Sequence, residues 1–322
     1  MAGQEATCYA DDIHVIDGTL CHVAEVAQDT FLIRIEAPEI ACRAVPGQFV
    51  MIRFTGRDTP LIGRALAIYD IIDDAEGNPR AIDLVFVRKG AMTTPLAIAQ
   101  LGTPVTLWGP LGNGFSDRPC DTLVIAVGGI GQTPMLLLAQ EALGARTFGN
   151  GKRRSGWAKR VVMIYGARTA ALLACLDEFG GAGIELQLCT DDGSVGQKAR
   201  VPDRLFEYVD GSVPLSQNES EFDRAGRPQG SFGYWGQTPF PKISSLGFIR
   251  VVTCGPEIMM QKVAQGCIER SIDCQVSMET PMACGIGICF SCVAKVRIGD
   301  GSWDYRRTCV EGPIFDANDL VW

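Results

Sequence analysis

Residues 282–292 read MACGIGICFSC, which places three cysteines and two glycines in eleven positions, and a fourth cysteine, Cys309, follows after sixteen intervening residues. The order Cys284, Cys289, Cys292, Cys309 is C-x4-C-x2-C...C. Four thiolates at that spacing hold the two irons of a plant-type 2Fe-2S cluster. Gly285 and Gly287 let the backbone wrap closely and turn its amides toward the sulfurs, which helps to hold the negative charge of such a group. A zinc site would more typically show two C-x2-C pairs, and only one is present. Of the 13 cysteines, the nine outside this set, including Cys8, Cys120, Cys175 and Cys267, read as buried, unligated thiols.

A second kind of chemistry is suggested by AVGGIGQTP. Gly128, Gly129 and Gly131 allow a tight turn after a strand, with Thr133 as N-cap and Pro134 at the first helical position. A helix N-terminus with bare amides is a ready site for a pyrophosphate. The motif is not G-x-G-x-x-G, so its weight comes from YGAR (165–168), TDDG (190–193) and CGP (254–256). Each lies at the carboxyl end of an expected parallel strand, where open α/β sheets bind ligands. Arg168 would meet a phosphate or be a surface arginine, and Cys254 would line a nicotinamide face or be a small buried thiol. Earlier in the chain, Arg64 and the turn RKGAMTTP (88–95) offer a cation, amides and hydroxyls suited to a diphosphate, and GPLGNGF (109–115) forms a Gly-rich corner.

The elements that must position these groups differ in period along the chain. From about Thr19 to Phe115, short runs such as TFLIRIEAP, GQFVMIRF, RALAIYDII, AIDLVFVRKG and TPVTLWGP, separated by turn residues, predict an antiparallel sheet or small barrel with one helical interruption, TTPLAIAQL. Near Asp121 the rhythm becomes strand then helix. DTLVIAVGGIG precedes TPMLLLAQEAL, RVVMIYGAR precedes TAALLACLDEF, IELQLCTDDG precedes RVPDRLFEYV, and FIRVVTCGP precedes EIMMQKVAQGCIERS. That alternation predicts a parallel sheet with right-handed crossovers. Two stretches fall outside it, a basic one at 146–160 and a long Gly/Pro-rich one at 210–245. Both read as surface insertions, either solvated loops or, for the longer, a cover over a site or partner surface. The segment from about Ser277 is too small for a large core of its own, so an inorganic group would supply the missing stability.

Composition narrows the function classes. The 322 residues are 47% hydrophobic and 20% charged, with a formal charge of −8 at pH 7, which leaves no general basic footprint for nucleic acid or an anionic membrane. The N-terminal sequence has no basic region followed by an apolar one, and the most apolar stretches are broken by Gly, Gln and Pro before reaching spanning length. With so many cysteines, a reducing compartment is expected, and the cytoplasm fits.

PGQFVMIR, GPLGNGF, GGIGQTP, YGAR, TDDGS, CGPEIMM, MACGIGICFSC and RTCVEGPIFDA together resemble the electron-transfer subunit of the heteromeric dihydroorotate dehydrogenase, within the ferredoxin-NADP reductase superfamily. The resemblance spans nearly the whole chain apart from the two insertions. It implies a multi-domain protein: an FAD-binding β-barrel over 1–117, an NAD-binding α/β parallel-sheet domain over 118–275 and a small 2Fe-2S domain over 276–322. It further implies that Arg64, Ala65, Leu66 and Ala67 meet FAD, that Gly90 and Thr93 belong to a second flavin-phosphate turn, and that Gly128, Gly129 and Gly131 face NAD(H), with Cys284, Cys289, Cys292 and Cys309 as metal ligands. Two positions depart from the family. The hydroxyl of its Arg-x-x-Ser element is absent at Ala67, and its Gly-x-Gly-Thr turn reads Gly90-Ala91-Met92-Thr93.

The implied protein is a flavin and iron-sulfur oxidoreductase subunit, without an acid, base or nucleophile of its own. It would carry electrons from a separate FMN-containing, dihydroorotate-oxidising subunit through the cluster and FAD to NAD+. The same architecture also serves ferredoxin-NADP oxidoreductase or hydrogenase complexes, and a flavin-less, zinc-stabilised interaction protein is the alternative from another class. Asp191 and Asp192, with no Arg/Lys cluster beside them, favour NAD over NADP.

Overall fold

The computed structural model describes residues 13–211, 247–299 and 301–322. The barrel strands are β1 (His14–Ala27), β2 (Thr30–Glu36), β3 (Phe49–Phe54), β4 (Arg64–Asp73), β5 (Pro79–Val87) and β6 (Pro104–Leu111). They close in the order β1-β2-β5-β4-β3-β6, antiparallel throughout. Two helices accompany them, α1 (Pro38–Ala41) and α2 (Gly90–Ala97). Apolar side chains such as Ile33, Ile35, Val50, Ile52, Ile68, Ile82 and Leu107 fill the barrel core, and none has measurable exposure. Met92, one of the two departures from the family pattern, is a buried part of this core.

The second sheet begins with β7 (Cys120–Gly128), followed by α3 (Met135–Ala142), β8 (Ala158–Ala167), α4 (Leu176–Gly181), β9 (Glu185–Thr190), β10 (Gln197–Lys198) and α5 (Val201–Val209). It continues with β11 (Ile249–Cys254), α6 (Glu257–Glu269) and β12 (Asp273–Ser277). These strands are parallel. The β7 side chains alternate as a strand requires: Leu123, Ile125 and Val127 enter the core on one face, Val124 and Ala126 the core on the other. That double burial is why the sequence here is an unbroken apolar run.

The third segment adds β13 (Val293–Arg297), β14 (Trp303–Arg307), β15 (Ile314–Asp316) and β16 (Leu320–Val321). Strands β14-β13-β16 form a small sheet, whereas β15 pairs antiparallel with β12 as the edge of the large sheet, ordered β10-β9-β8-β7-β11-β12-β15. The position 275/276 therefore falls inside β12, and the segment that follows leaves the sheet and returns to it.

Several expectations are corrected. The barrel starts at His14 rather than near Thr19. Its helix spans Gly90–Ala97, a few residues before the expected run. TAALLACLDEF is not one helix: a 3-10 turn over Ala170–Leu172 is separated from α4 by Cys175, whose φ of 61° is left-handed. Pro134, not Thr133, takes the N-cap position of α3, behind a 3-10 turn over Gly129–Gln132. The basic stretch 146–160 is packed rather than merely solvated. Phe148 and Trp157 are buried, Arg146 reaches Asp73 at 2.8 Å and the Ile71 carbonyl, and residues 158–160 are already strand β8. The other stretch, 210–245, lies outside the described residues except for Asp210 and Gly211.

Arg146 thus ties the second domain to the barrel beside Asp70, whose carboxyl burial pushes up to about 6, with the Ile71 amide and Arg146 opposing the rise. A carboxyl with a folded pKa above its unfolded value near 4 favours folding when protonated, so its contribution is lost as pH rises from about 4 to 6. Asp70→Asn should remove that loss. Urea unfolding at pH 4.5 and 7 should show the variant gaining up to about 2 kcal/mol on the wild type across the interval; parallel profiles would contradict it.

Candidate functional site

The cysteine segment is held against the barrel. Gly285 and Gly287 sit at φ 73° and 78°, a backbone conformation that glycine adopts without a Cβ clash. A Cβ at Gly285 would lie 2.5 Å from Met51 Cγ, so glycine is needed for close approach as well. Trp108 Nε1 on β6 donates to the Cys284 carbonyl at 2.9 Å. Phe49, Met51 and Leu111 share one apolar cluster with Cys292 and Cys309. Asn113, in the Gly-rich corner, clamps the far side: Nδ2 donates to the Glu311 and Ile314 carbonyls at 3.2 and 2.8 Å, and Oδ1 accepts the Ile314 amide at 2.9 Å.

The four thiols fall into two pairs. Cys284 lies within hydrogen-bonding reach of Cys289, and Cys292 of Cys309. Among the described residues, no three His, Cys, Asp or Glu side chains converge on a single point as a metal ion would require. In a two-iron group each metal takes two thiolates, a division that these two pairs can serve. The pairs differ in environment. Cys289 is exposed, and the Ser291 hydroxyl at 3.2 Å draws its thiol down to about 6. Cys309 is buried, and desolvation pushes its thiol up to about 12.

One strand away lies the expected flavin strand. Met51 on β3 faces Ala65 on β4, and Phe49 faces Ala67. Arg64 is exposed at the start of β4, Ala65 and Ala67 are partly exposed, and Leu66 turns into the core. Gly90 opens α2, with nothing within 4 Å of where a Cβ would stand. Thr93 is buried one turn on, its hydroxyl accepting the Lys89 amide at 2.8 Å and donating to the Lys89 carbonyl at 2.6 Å. The threonine thereby fixes the turn that leads into the helix.

The residues expected to face the nicotinamide cofactor lie at the carboxyl ends of β7, β8 and β11. Gly128 and Gly131 are occupied with packing: a Cβ at Gly131 would be 2.3 Å from the Cys254 carbonyl oxygen, and one at Gly128 would be 2.8 Å from the Met259 sulfur. Only Gly129 of the three has open space before it. Cys254 is buried, and desolvation raises its thiol well above the ordinary range. Arg168 is exposed and has no ion pair among the described residues. Asp192 is engaged by Ser194, whose hydroxyl at 2.6 Å and amide at 2.9 Å hold its carboxyl below the usual range.

Sequence reasoning missed Glu279. It follows β12 and acts electrostatically on Cys254, while Arg64 acts on it. Its side chain keeps solvent contact, yet its surroundings desolvate the carboxyl enough to raise it, with Arg64 opposing. An acid just before a cysteine motif carries no periodic signal, and only the fold brings it to β4. Trp108 and Asn113 were equally illegible as cluster supports, because their partners lie more than 170 residues away in sequence.

The iron-sulfur cluster binding domain of dihydroorotate dehydrogenase B matches residues 279–321. A "Dihydroorotate dehydrogenase B (NAD(+)), electron transfer subunit" from Desulforamulus reducens is 30% identical over 96% of this chain and 98% of its own length. Its namesake from Clostridium acetobutylicum is 30% identical over 86% of each. Among solved structures, an NADH-dependent reduced ferredoxin-NADP oxidoreductase chain superposes with a TM-score of 0.66 at 23% identity, covering 100% of this chain and 92% of its own. A ferredoxin NADP+ reductase from Neisseria gonorrhoeae, with bound FAD and NADP, gives 0.53 at 16% identity over 79% and 91%.

Proposed function

Because the chain belongs to the family of electron transfer subunits of dihydroorotate dehydrogenase B, we propose that it passes electrons from a dihydroorotate-oxidising, FMN-containing partner subunit through a 2Fe-2S cluster and FAD to NAD+, in pyrimidine biosynthesis. The observation that carries the reading is the adjacency of two paired thiol sets to the strand bearing Arg64, through Met51 and Ala65. When bound, the flavin supplies the exchange between the two electrons of a nicotinamide hydride and the single electrons of an iron-sulfur centre.

The chain's own residues bind, orient and shield. Cys284, Cys289, Cys292 and Cys309 would hold the two irons, with Trp108 and Asn113 fixing the segment that carries them. Arg64 and the Gly90–Thr93 turn would hold the FAD diphosphate. Ala65 and Ala67 offer small side chains along the strand, and Ala67 brings no hydroxyl to the flavin edge. Gly129 and the start of α3 would receive the NAD pyrophosphate, with Arg168 as a cation for it and Cys254 lining the nicotinamide site. Asp191 and Asp192 disfavour a 2′-phosphate. No helix among the described residues is long and apolar enough to cross a membrane, and the twelve described cysteines are all free, which accords with a cytoplasmic setting.

Anaerobic purification with the native partner tests the reading. The protein should contain iron and labile sulfide, NADH should bleach its flavin band, and a dihydroorotate-oxidising subunit should co-purify. Absence of iron and sulfide, or an NADH-insensitive flavin, would overturn the cofactor assignment, and co-purification of a different oxidoreductase would overturn the partner. Arg64→Gln should weaken FAD binding about ten- to a hundred-fold, the loss of roughly 1.5–3 kcal/mol expected for a hydrogen bond to a charged group. Flavin content after gel filtration reads this, and the cluster spectrum should not change.

A further inference from the structure

A cavity of about 350 Å³ opens where the exit of α1, the end of β6, the 149–153 turn and Cys309 meet. It contains none of the residues assigned above to FAD or NAD. Its charged lining consists of Arg43, Lys152 and Arg153, with no carboxylate among the lining residues. In a chain whose formal charge is −8, this concentration of positive charge is against the average. Arg153 is already engaged by Glu141 at 2.6 Å. Arg43 and Lys152 have no acidic partner among the described residues, and Arg43 Nε is buried without any hydrogen-bond partner. Two cations without a protein counter-charge on one cavity wall are suited to an anionic ligand. The rest of the lining is mixed, with Val45, Leu111 and Val310 apolar and Gln48, Asn150 and Cys309 polar. Its size is that of a pocket for a small organic ligand rather than for an ion.

We propose that this cavity binds a small organic anion, its phosphate or carboxylate group held by Arg43 and Lys152 and its planar or apolar body against Val45, Leu111 and Val310. The pairing is charge-assisted, and arginine is suited to two-point recognition of either group. The cavity is separate from the nicotinamide set, so the ligand does not compete with NADH.

Isothermal titration of the cofactor-loaded protein, at matched ionic strength, tests this with three probes: uridine monophosphate for a phosphate on a planar body, orotate for a carboxylate on one, and inorganic phosphate for charge alone. One of the two organic anions should bind at one site per chain in the presence of saturating NADH, at least ten-fold more tightly than inorganic phosphate; which one binds identifies the anionic group. The double variant Arg43→Gln/Lys152→Gln should lose at least ten-fold in that affinity while NADH still bleaches its flavin. Three results would each overturn the proposal: no organic binding below about millimolar, affinity no better than that of inorganic phosphate, or affinity undiminished in the double variant. Arg43→Lys, which keeps the charge but not the planar fork, should retain intermediate affinity, separating recognition from a folding defect.

Discussion

Replacing Cys292 with serine should abolish the visible absorbance of the iron-sulfur centre and leave a flavoprotein that NADH still bleaches. Cys292 is 1% exposed and lies beside Cys309 at the foot of the barrel. Its carbonyl accepts the Thr308 amide at 2.7 Å and the Thr308 hydroxyl at 3.1 Å, so the backbone has supports that do not depend on the sulfur. A hydroxyl is a much poorer iron ligand than a thiolate, and even changes outside the ligand set cost about 10- to 100-fold in metal affinity. Electron transfer between the partner subunit and the flavin should therefore fall by about a hundred-fold or more, while NADH-dependent flavin reduction persists. Stopped-flow reduction by NADH, set beside turnover with the reconstituted partner, separates the two. Undiminished transfer from the partner in the variant would place the cluster off the electron path.

Glu141→Ala should produce the largest loss of stability, about 3–5 kcal/mol, the range for breaking a buried ion pair from one side. Glu141 on α3 has no exposed surface. It accepts Arg153 Nε at 2.6 Å and Nη2 at 2.7 Å, and the Trp157 indole at 3.2 Å. Arg153 Nη2 also donates to the Phe115 carbonyl at 2.8 Å, where the barrel hands over to the second domain. Removal of the carboxylate would leave a mostly buried guanidinium and a buried indole N–H without their acceptor. Glu141→Gln should cost less, since an acceptor oxygen remains. Urea unfolding followed by Trp fluorescence checks the order wild type, Gln, Ala; equal stability of wild type and the Ala variant would deny the cluster its role.

The same residues show what was legible in the sequence. The cysteine spacing was, because a ligand set confined to one short segment leaves its pattern in the chain. The central strands were, because burial on both faces produces an unbroken run such as Leu123–Val127. Cys175 was not: a single left-handed residue interrupts an otherwise helical stretch, and nothing in its apolar neighbours announces it. Nor was the packing of 146–160, where four basic residues before Trp157 suggest a solvated loop. Arg153 has its acid on α3, and Arg146 has its acids on β4. Gly128 and Gly131 were read as facing a ligand, and the structure adds a packing demand at both, since a side chain there would strike Met259 and the Cys254 carbonyl. A glycine required by packing and one required by a ligand look alike in sequence.

The pairing of β15 with β12 also bears on how the protein is made. Residues 278–313 form an excursion whose two ends are stapled to neighbouring strands. Loop-closure entropy is therefore met by sheet pairing rather than by the metal centre. During synthesis, β15, the strand that closes this loop, emerges only after all four cysteines. A nascent chain halted before Ile314 would hold its cysteines on a tether anchored to the large sheet at one end only.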